Sequence, residues 1–127
     1  MRAVLLRVAR WAWVGRLLGW VFASMSFALP VERVAETRHW LAFEHPQPVY
    51  ARHILLVPKR AIANLMSLQA ADADFLAEGL ALAQTLVVQL GLEADGYRVI
   101  VNGGAYQEVG QLHVHLVSGA MRETGLR

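Results

Sequence analysis

Two histidines, His113 and His115, stand two positions apart in an apolar stretch near the end of the chain, QLHVHLV at 111–117. Side chains alternate between the two faces of a β-strand, so both imidazoles would share one face with Gln111 while the residues between them face the core. A third imidazole, His53, lies in another strand-like stretch, RHILLV. If the two strands are neighbours, three imidazoles meet, and such a group suits phosphoryl chemistry or metal binding.

A glycine-rich segment, NGGAYQ at 102–107, comes shortly before the histidine pair. Glycines allow backbone N–H groups to approach an anion closely, as they do in many phosphate-binding loops. Two glycines between strands are also typical of a simple hairpin turn. The position of the segment, directly before the histidine strand, is the reason to consider a role in binding an anion.

The pattern of apolar residues predicts the elements that must position these groups. Stretches rich in β-branched and aromatic residues predict strands at 31–37, 40–43, 52–57, 97–101 and 111–117. A long helix is predicted at 70–90, where apolar residues recur every three or four positions, namely Phe75, Leu76, Leu80, Ala83, Leu86, Val87 and Leu90. Gly91 would end it. Five strands without an alternation of strands and helices predict an α+β fold with an antiparallel sheet.

Composition narrows the classes of function. The chain has 127 residues, which is enough for one domain with its own core, and it has no cysteine. Disulfides, thiolate metal sites, iron–sulfur clusters and a cysteine nucleophile are therefore excluded, and the five histidines are the main candidates for chemistry. Residues 1–30 contain four arginines and no acid, whereas the rest has eight basic and ten acidic residues. A mildly acidic body argues against a broad surface for nucleic acid.

The basic and tryptophan-rich start of the chain is predicted to be an N-terminal helical extension, 1–21, followed by one domain, 22–127. Its longest uncharged run, 17–31, is shorter than the about 20 residues of a membrane-spanning helix. Arginines mixed with tryptophans are compatible with a signal peptide or with peripheral contact to a membrane surface. We expect a helix docked within a cytoplasmic homodimer instead, because one apolar stripe contains Val4, Leu5, Val8, Trp11 and Leu18.

The segments NGGAYQEVGQLHVHLVSG and LAFEHPQPVYARHILLVPKRAI together resemble the histidine triad (HIT) family in the order and spacing of their motifs. The resemblance covers about residues 22–119. It implies a five-stranded antiparallel sheet with one long helix, and a homodimer in which two sheets join. It also implies a cleft that binds a purine nucleotide or a nucleotide conjugate without a metal cofactor.

The resemblance also implies roles for five residues. His113 matches the nucleophile that attacks the α-phosphorus of a nucleotide conjugate, while a main-chain carbonyl holds its other ring nitrogen. His115 and His53 match histidines that orient phosphate oxygens and help to protonate the leaving group. Asn102 and Gln107 match residues on the phosphate or leaving-group side. The activity implied is that of a nucleotide hydrolase or transferase, such as a phosphoramidase.

Three residues depart from the family's pattern and complete the predicted nucleotide-binding set. Gln111 stands where the first histidine of the triad is expected. Glu108 replaces a serine or threonine that donates to phosphate, and His45 replaces an acidic residue that accepts hydrogen bonds from ribose. These departures leave open a nucleotide-binding module without catalysis. A metal enzyme using His113, His115 and His53 is a further alternative.

Overall fold

The architecture belongs to the α+β class, with five antiparallel strands in one sheet and one long helix against it. The computed structural model describes residues 33–122. The predicted N-terminal extension, 1–21, therefore lies outside the described residues. The strand order is β1-β2-β3-β5-β4, and the strands are β1 (Arg33–Glu36), β2 (Trp40–Glu44), β3 (Tyr50–Pro58), β4 (Arg98–Ile100) and β5 (Val114–Met121).

The predicted strands are present, but the boundaries of the last one were wrong. Strand β5 begins at Val114, three residues later than predicted, and continues to Met121. Residues 111–113 are not part of any strand; Leu112 instead donates its N–H to Ile62 O at 2.7 Å. At its C-terminal end β5 is longer than predicted, and these additional residues pair with β3, where Tyr50 lies opposite Met121.

The long helix, α1, spans Ala73–Gln89 and follows a 3-10 turn, Ala70–Asp72. Gly91 has a φ of 67°, so it adopts the left-handed conformation expected just after the helix. A second helix, α2 (Leu92–Asp95), was not predicted, since four residues are too few to show a helical period. Among residues 33–122 no helix is long and apolar enough to cross a membrane.

Helix α1 packs its small and aliphatic side onto strands β1, β2 and β3, and the core that they form also includes Leu116 of β5. Trp40 of β2 is 2% exposed and donates its ring N–H to Phe75 O. A Cβ at Gly79 would lie 2.5 Å from this indole, so only glycine fits there. The buried side of α1 therefore includes Gly79, and the next residue, Leu80, faces outward. Leu80 is 59% exposed, so its predicted place in the apolar stripe was wrong.

The register of the central strands brings distant parts of the chain to one place. Strands β3 and β5 pair over most of their length, with His53 opposite Val117 and Leu55 opposite His115. His53 and His115 are thus diagonal neighbours on the same face of the sheet. The adjacency on which the histidine cluster depends is present.

Candidate active site

A cavity of about 390 Å³ opens beside strands β3 and β5. Its polar lining consists of His45, His53, His113, His115, Asn102 and Glu108. Its remaining lining is largely apolar and includes Val49, Tyr50, Ile100, Val109, Val117 and Met121. The polar side chains form one part of the lining and apolar side chains form the rest. Such a cavity suits a small organic ligand that carries a charged group.

His113 lies immediately before β5, and 9% of it is exposed. Its Nδ1 lies 2.7 Å from the carbonyl oxygen of Gln111, and a carbonyl only accepts, so Nδ1 carries the proton. The other nitrogen, Nε2, then has its lone pair available as a nucleophile. Burial lowers the pKa of His113, although the Gln111 carbonyl and the charge of Glu108 act in the opposite direction. His113 is therefore neutral at neutral pH, which is the form that nucleophilic attack requires.

His53 and His115 form a hydrogen-bonded pair, with His53 Nε2 2.9 Å from His115 Nδ1. The backbone N–H of Val49 donates to His53 Nδ1 at 3.0 Å, so a neutral His53 carries its proton on Nε2. That proton faces His115 Nδ1, which accepts it. A neutral His115 consequently carries its own proton on Nε2 and offers the cavity a hydrogen-bond donor.

His45 joins this group through its ring. It is 6% exposed, and its ring centroid lies 4.3 Å from that of His53. The backbone N–H of Gln47 donates to His45 Nδ1 at 2.9 Å, so the neutral ring has its proton on Nε2. His45 therefore offers a donor where a carboxylate would offer only acceptors. The two prolines predict a loop at 45–48, but the sequence did not predict that the N–H groups of Gln47, in this loop, and of Val49, just after it, fix the rings of His45 and His53.

The structure brings Asn102 and Glu108 to the cavity together with the histidines, but it places the two glutamines elsewhere. Gln107 donates from Nε2 to the carbonyl oxygens of Ala63 and Val109, at 2.7 and 2.9 Å. Gln111 is 7% exposed, and its side chain bonds to the backbone rather than lining the cavity. Sequence spacing cannot distinguish these orientations, because they depend on the neighbouring segment 60–63.

The family comparison agrees with this geometry. A sequence model described as the HIT domain matches residues 27–121. A HIT-like protein of Chlamydia pneumoniae is 34% identical over 90 residues, which cover 69% of this chain and 81% of that protein. The chain belongs to the HIT family.

Solved structures of this family share the fold. A histidine triad protein from Clostridium difficile superposes with a TM-score of 0.72 at 28% identity, covering 86% of this chain and 95% of that one. A HIT family hydrolase from Legionella pneumophila gives a TM-score of 0.72 at 29% identity, covering 84% and 95%. The five-stranded sheet with one long helix is therefore the HIT fold, as the sequence predicted.

A metal ion is suggested by the name of one relative, a 14 kDa zinc-binding protein of Zea mays that is 36% identical over 95 residues, which cover 72% of this chain and 73% of that protein. Within residues 33–122 the candidate ligands are His45, His53 and His115, with ring nitrogens within 4.8 Å of one another. This set differs from the predicted one, because it contains His45 rather than His113.

The hydrogen bonds of these rings do not fit a metal. A histidine ligand binds the metal through one ring nitrogen and donates from the other. In His45 and His53, however, Nδ1 accepts from a backbone N–H and the neutral ring carries its proton on Nε2. Neither ring has a lone pair left for a cation, so this HIT chain's cluster is arranged for hydrogen bonding.

Proposed function

We propose that this HIT protein is a nucleotide hydrolase or transferase that acts on the α-phosphate of a nucleotide conjugate through His113. The observation that carries the proposal is the hydrogen bond from His113 Nδ1 to the Gln111 carbonyl, which leaves Nε2 of a neutral, buried ring for attack. The substrate class is a purine nucleotide joined to an amine or phosphate leaving group. The apolar part of the cavity lining suits the nucleoside portion.

In the first step His113 Nε2 attacks the α-phosphorus, and a P–N bond forms. The bond to the leaving group breaks, its electron pair departs with the leaving atom, and that atom takes a proton from water. Two imidazoles face this reaction: His115 offers Nε2–H to a phosphate oxygen, and His53 holds His115 in that tautomer. The ring of His113 becomes a positively charged imidazolium when Nε2 binds phosphorus, and the carbonyl of Gln111 stabilises this charge through the Nδ1 proton.

In the second step a water molecule attacks the same phosphorus. The P–N bond breaks, and its electron pair returns to His113 Nε2, while the proton of the water passes to solvent. The product is the nucleoside monophosphate, and the neutral ring with its Nδ1 proton is restored. With a different acceptor in place of water, the same site would act as a transferase.

A purely nucleotide-binding module is the second candidate, and Glu108 favours it. This side chain lines the cavity and acts on His113 by its charge, so it stands where an anionic phosphate would be repelled. Repulsion of this kind would oppose placement of the phosphate for attack, whereas the apolar part of the lining would still hold the nucleoside. The module would bind nucleotide without a covalent intermediate.

The two candidates are distinguished by hydrolysis of an adenosine phosphoramidate. We expect turnover by the unmodified protein and a loss of about a thousandfold or more in His113→Ala, because the nucleophile is removed. Calorimetry with AMP on both proteins measures binding separately. Nucleotide binding with no turnover by the unmodified protein would favour the binding module, and equal turnover by both would exclude His113 as nucleophile.

The homodimer is proposed from the free edge of the sheet. Among residues 33–122 strand β4 pairs only with β5; it contains Val99 and is followed directly by Val101, which are 41% and 40% exposed. An apolar edge strand is a template for pairing with a second copy. Joining two such edges would extend the five strands of each chain into one sheet of ten.

A further inference from the structure

Gln111 occupies the first position of the histidine motif, yet its side chain faces away from the cavity. It is 7% exposed and lies in the segment just before β5. A buried amide requires partners for two donors and for its carbonyl oxygen. All of its partners belong to the backbone, and they lie in two separate segments of the chain.

The amide joins these two segments. Its Oε1 accepts the N–H of Ile62 at 3.2 Å, and its Nε2 donates to the carbonyl oxygens of Arg60 and Leu112, both at 3.2 Å. Beside it, the N–H of Leu112 donates to Ile62 O at 2.7 Å. The loop after β3 is thereby fastened to the segment that carries the nucleophile, at a place where no strand ladder connects them.

The peptide of Gln111 is also the group that holds the nucleophile. Its carbonyl oxygen accepts the Nδ1 proton of His113 at 2.7 Å. The direction of this carbonyl determines where His113 Nε2 points, because the imidazole is rigid. The side chain holds the next carbonyl, Leu112 O, and also the N–H of Ile62, whose own carbonyl accepts the N–H of the Gln111–Leu112 peptide. By holding the surroundings of this peptide, the side chain fixes the nucleophile.

We propose that Gln111 is a positioning residue, whose side-chain amide holds the carbonyl that sets the tautomer and the direction of His113. The proposal rests on the proposed function for its kinetic consequence, but not for the consequence on the ring itself. The side chain of Gln111 is not part of the cavity lining, and the residue acts on His113 only through its backbone carbonyl.

Only a group that both accepts and donates fits the three backbone partners. A carboxylate accepts but cannot donate, so it would face the carbonyls of Arg60 and Leu112 with no proton. A protonated imidazole donates but cannot accept, so it would face the N–H of Ile62. The neutral carboxylic acid and the neutral imidazole each restore one acceptor and one donor.

This chemistry gives two variants with opposite dependence on pH. For Gln111→Glu we expect at least about a tenfold loss of kcat at neutral pH, and a smaller loss as the pH falls and the carboxyl gains a proton. For Gln111→His we expect the loss to grow as the pH falls. Each kcat is divided by that of the unmodified protein at the same pH, so effects of His113 and substrate common to all three proteins cancel.

The tautomer of His113 is measured without substrate, by long-range ¹H–¹⁵N NMR of the ring nitrogens. We expect a single Nδ1–H form in the unmodified protein and a mixture in Gln111→Leu. The control is Ser118→Ala, which removes another buried hydrogen bond, to Gly96 O, from the same strand region. Thermal melting of every variant identifies any that fails to fold.

The results separate the two proposals. An unchanged Nδ1–H signal in folded Gln111→Leu, or pH trends equal in both titratable variants, would overturn the positioning role. Absence of turnover by the unmodified protein would overturn the proposed function, and the NMR comparison would still decide the role of Gln111. If Ser118→Ala disturbs the His113 signal as much as Gln111→Leu does, the effect is general loosening and the role is rejected.

Discussion

Backbone groups determine the protonation of the histidines at the site. His45 and His53 each accept from a backbone N–H, and His113 donates to a backbone carbonyl. Because peptide groups do not titrate, these partners keep one role at every pH near neutrality. The arrangement leaves one ring with a lone pair beside others that offer N–H donors, which is what attack on a phosphate needs.

Glu108 is the acidic residue of the cavity, and its removal should improve catalysis. We expect Glu108→Gln to raise kcat/KM for an adenosine phosphoramidate about three- to tenfold, because a negative charge beside an anionic substrate is lost. The charge of Glu108 also raises the pKa of His113, so the acid side of the pH–rate profile should shift to lower pH.

The matched control for this change is Glu93→Gln, which removes the same charge from an exposed position on α2. Steady-state kinetics over a range of pH measures both quantities. A kcat/KM that falls in Glu108→Gln, or that rises equally in both variants, would show that Glu108 does not oppose the substrate.

At the scale of elements, the spacing of apolar residues predicted which strands and which long helix form, but not how they contact one another. Five strands and the long helix follow from the alternation of side chains and from apolar spacing, whereas the adjacency of the two histidine strands was only a condition of the site hypothesis, which the pairing of β3 with β5 meets. The segment 111–113 reads as strand from its pattern, but it lacks a neighbouring strand, and its partners are contributed by the loop after β3. The contact of Trp40 with Gly79 likewise decides which side of α1 is buried, and no spacing of apolar residues reveals it.

The same limit holds for the candidate site. The spacing of His113 and His115 predicted that both imidazoles would face one side, and both line the cavity, although only His115 lies in β5. The direction of Gln107 could not be found in this way, because the carbonyl of Ala63 that it contacts is 44 positions away in the chain. Tautomers, too, depend on backbone partners that only the folded loops supply.

Glu78 fastens the β1–β2 turn to helix α1 and gives the fold a dependence on acid. It accepts from His39 Nδ1 at 2.7 Å, from Thr37 Oγ1 at 2.6 Å and from the N–H of His39 at 2.8 Å. Hydrogen bonds, first from the His39 ring and then from Thr37, lower the pKa of Glu78 from 4.5 to about 2. The folded state thus binds this proton less readily than the unfolded chain does.

Stability from this contact is present above pH 4.5 and is lost as the pH falls toward 2. We expect Glu78→Gln to lower the free energy of unfolding by about 1 kcal/mol at neutral pH, since the contact is partly exposed. We also expect the variant's stability to decline less steeply over that acid range. Urea unfolding at several pH values is the measurement, and parallel curves for the two proteins would contradict the assignment.

For the whole molecule, the free β4 edge is the surface on which the proposed dimer depends. We expect Val99→Lys together with Val101→Glu to shift the protein from dimer to monomer, because charged side chains oppose pairing of edge strands. Analytical ultracentrifugation measures the mass. A control with Leu80→Lys and Val88→Glu changes two exposed apolar residues on α1 instead. Dissociation by the control alone would place the interface on the helix.

The pairing of β3 with β5 also has a consequence for how the chain folds. Leu55 lies opposite His115, sixty positions later, so this ladder closes a long loop, whereas α1 forms from contacts between near neighbours. During synthesis the helix is therefore complete before the segment with His113 and His115 has been made. The imidazole cluster can assemble only when the two central strands close, and a chain that stops in β5 has its helix but no place for chemistry.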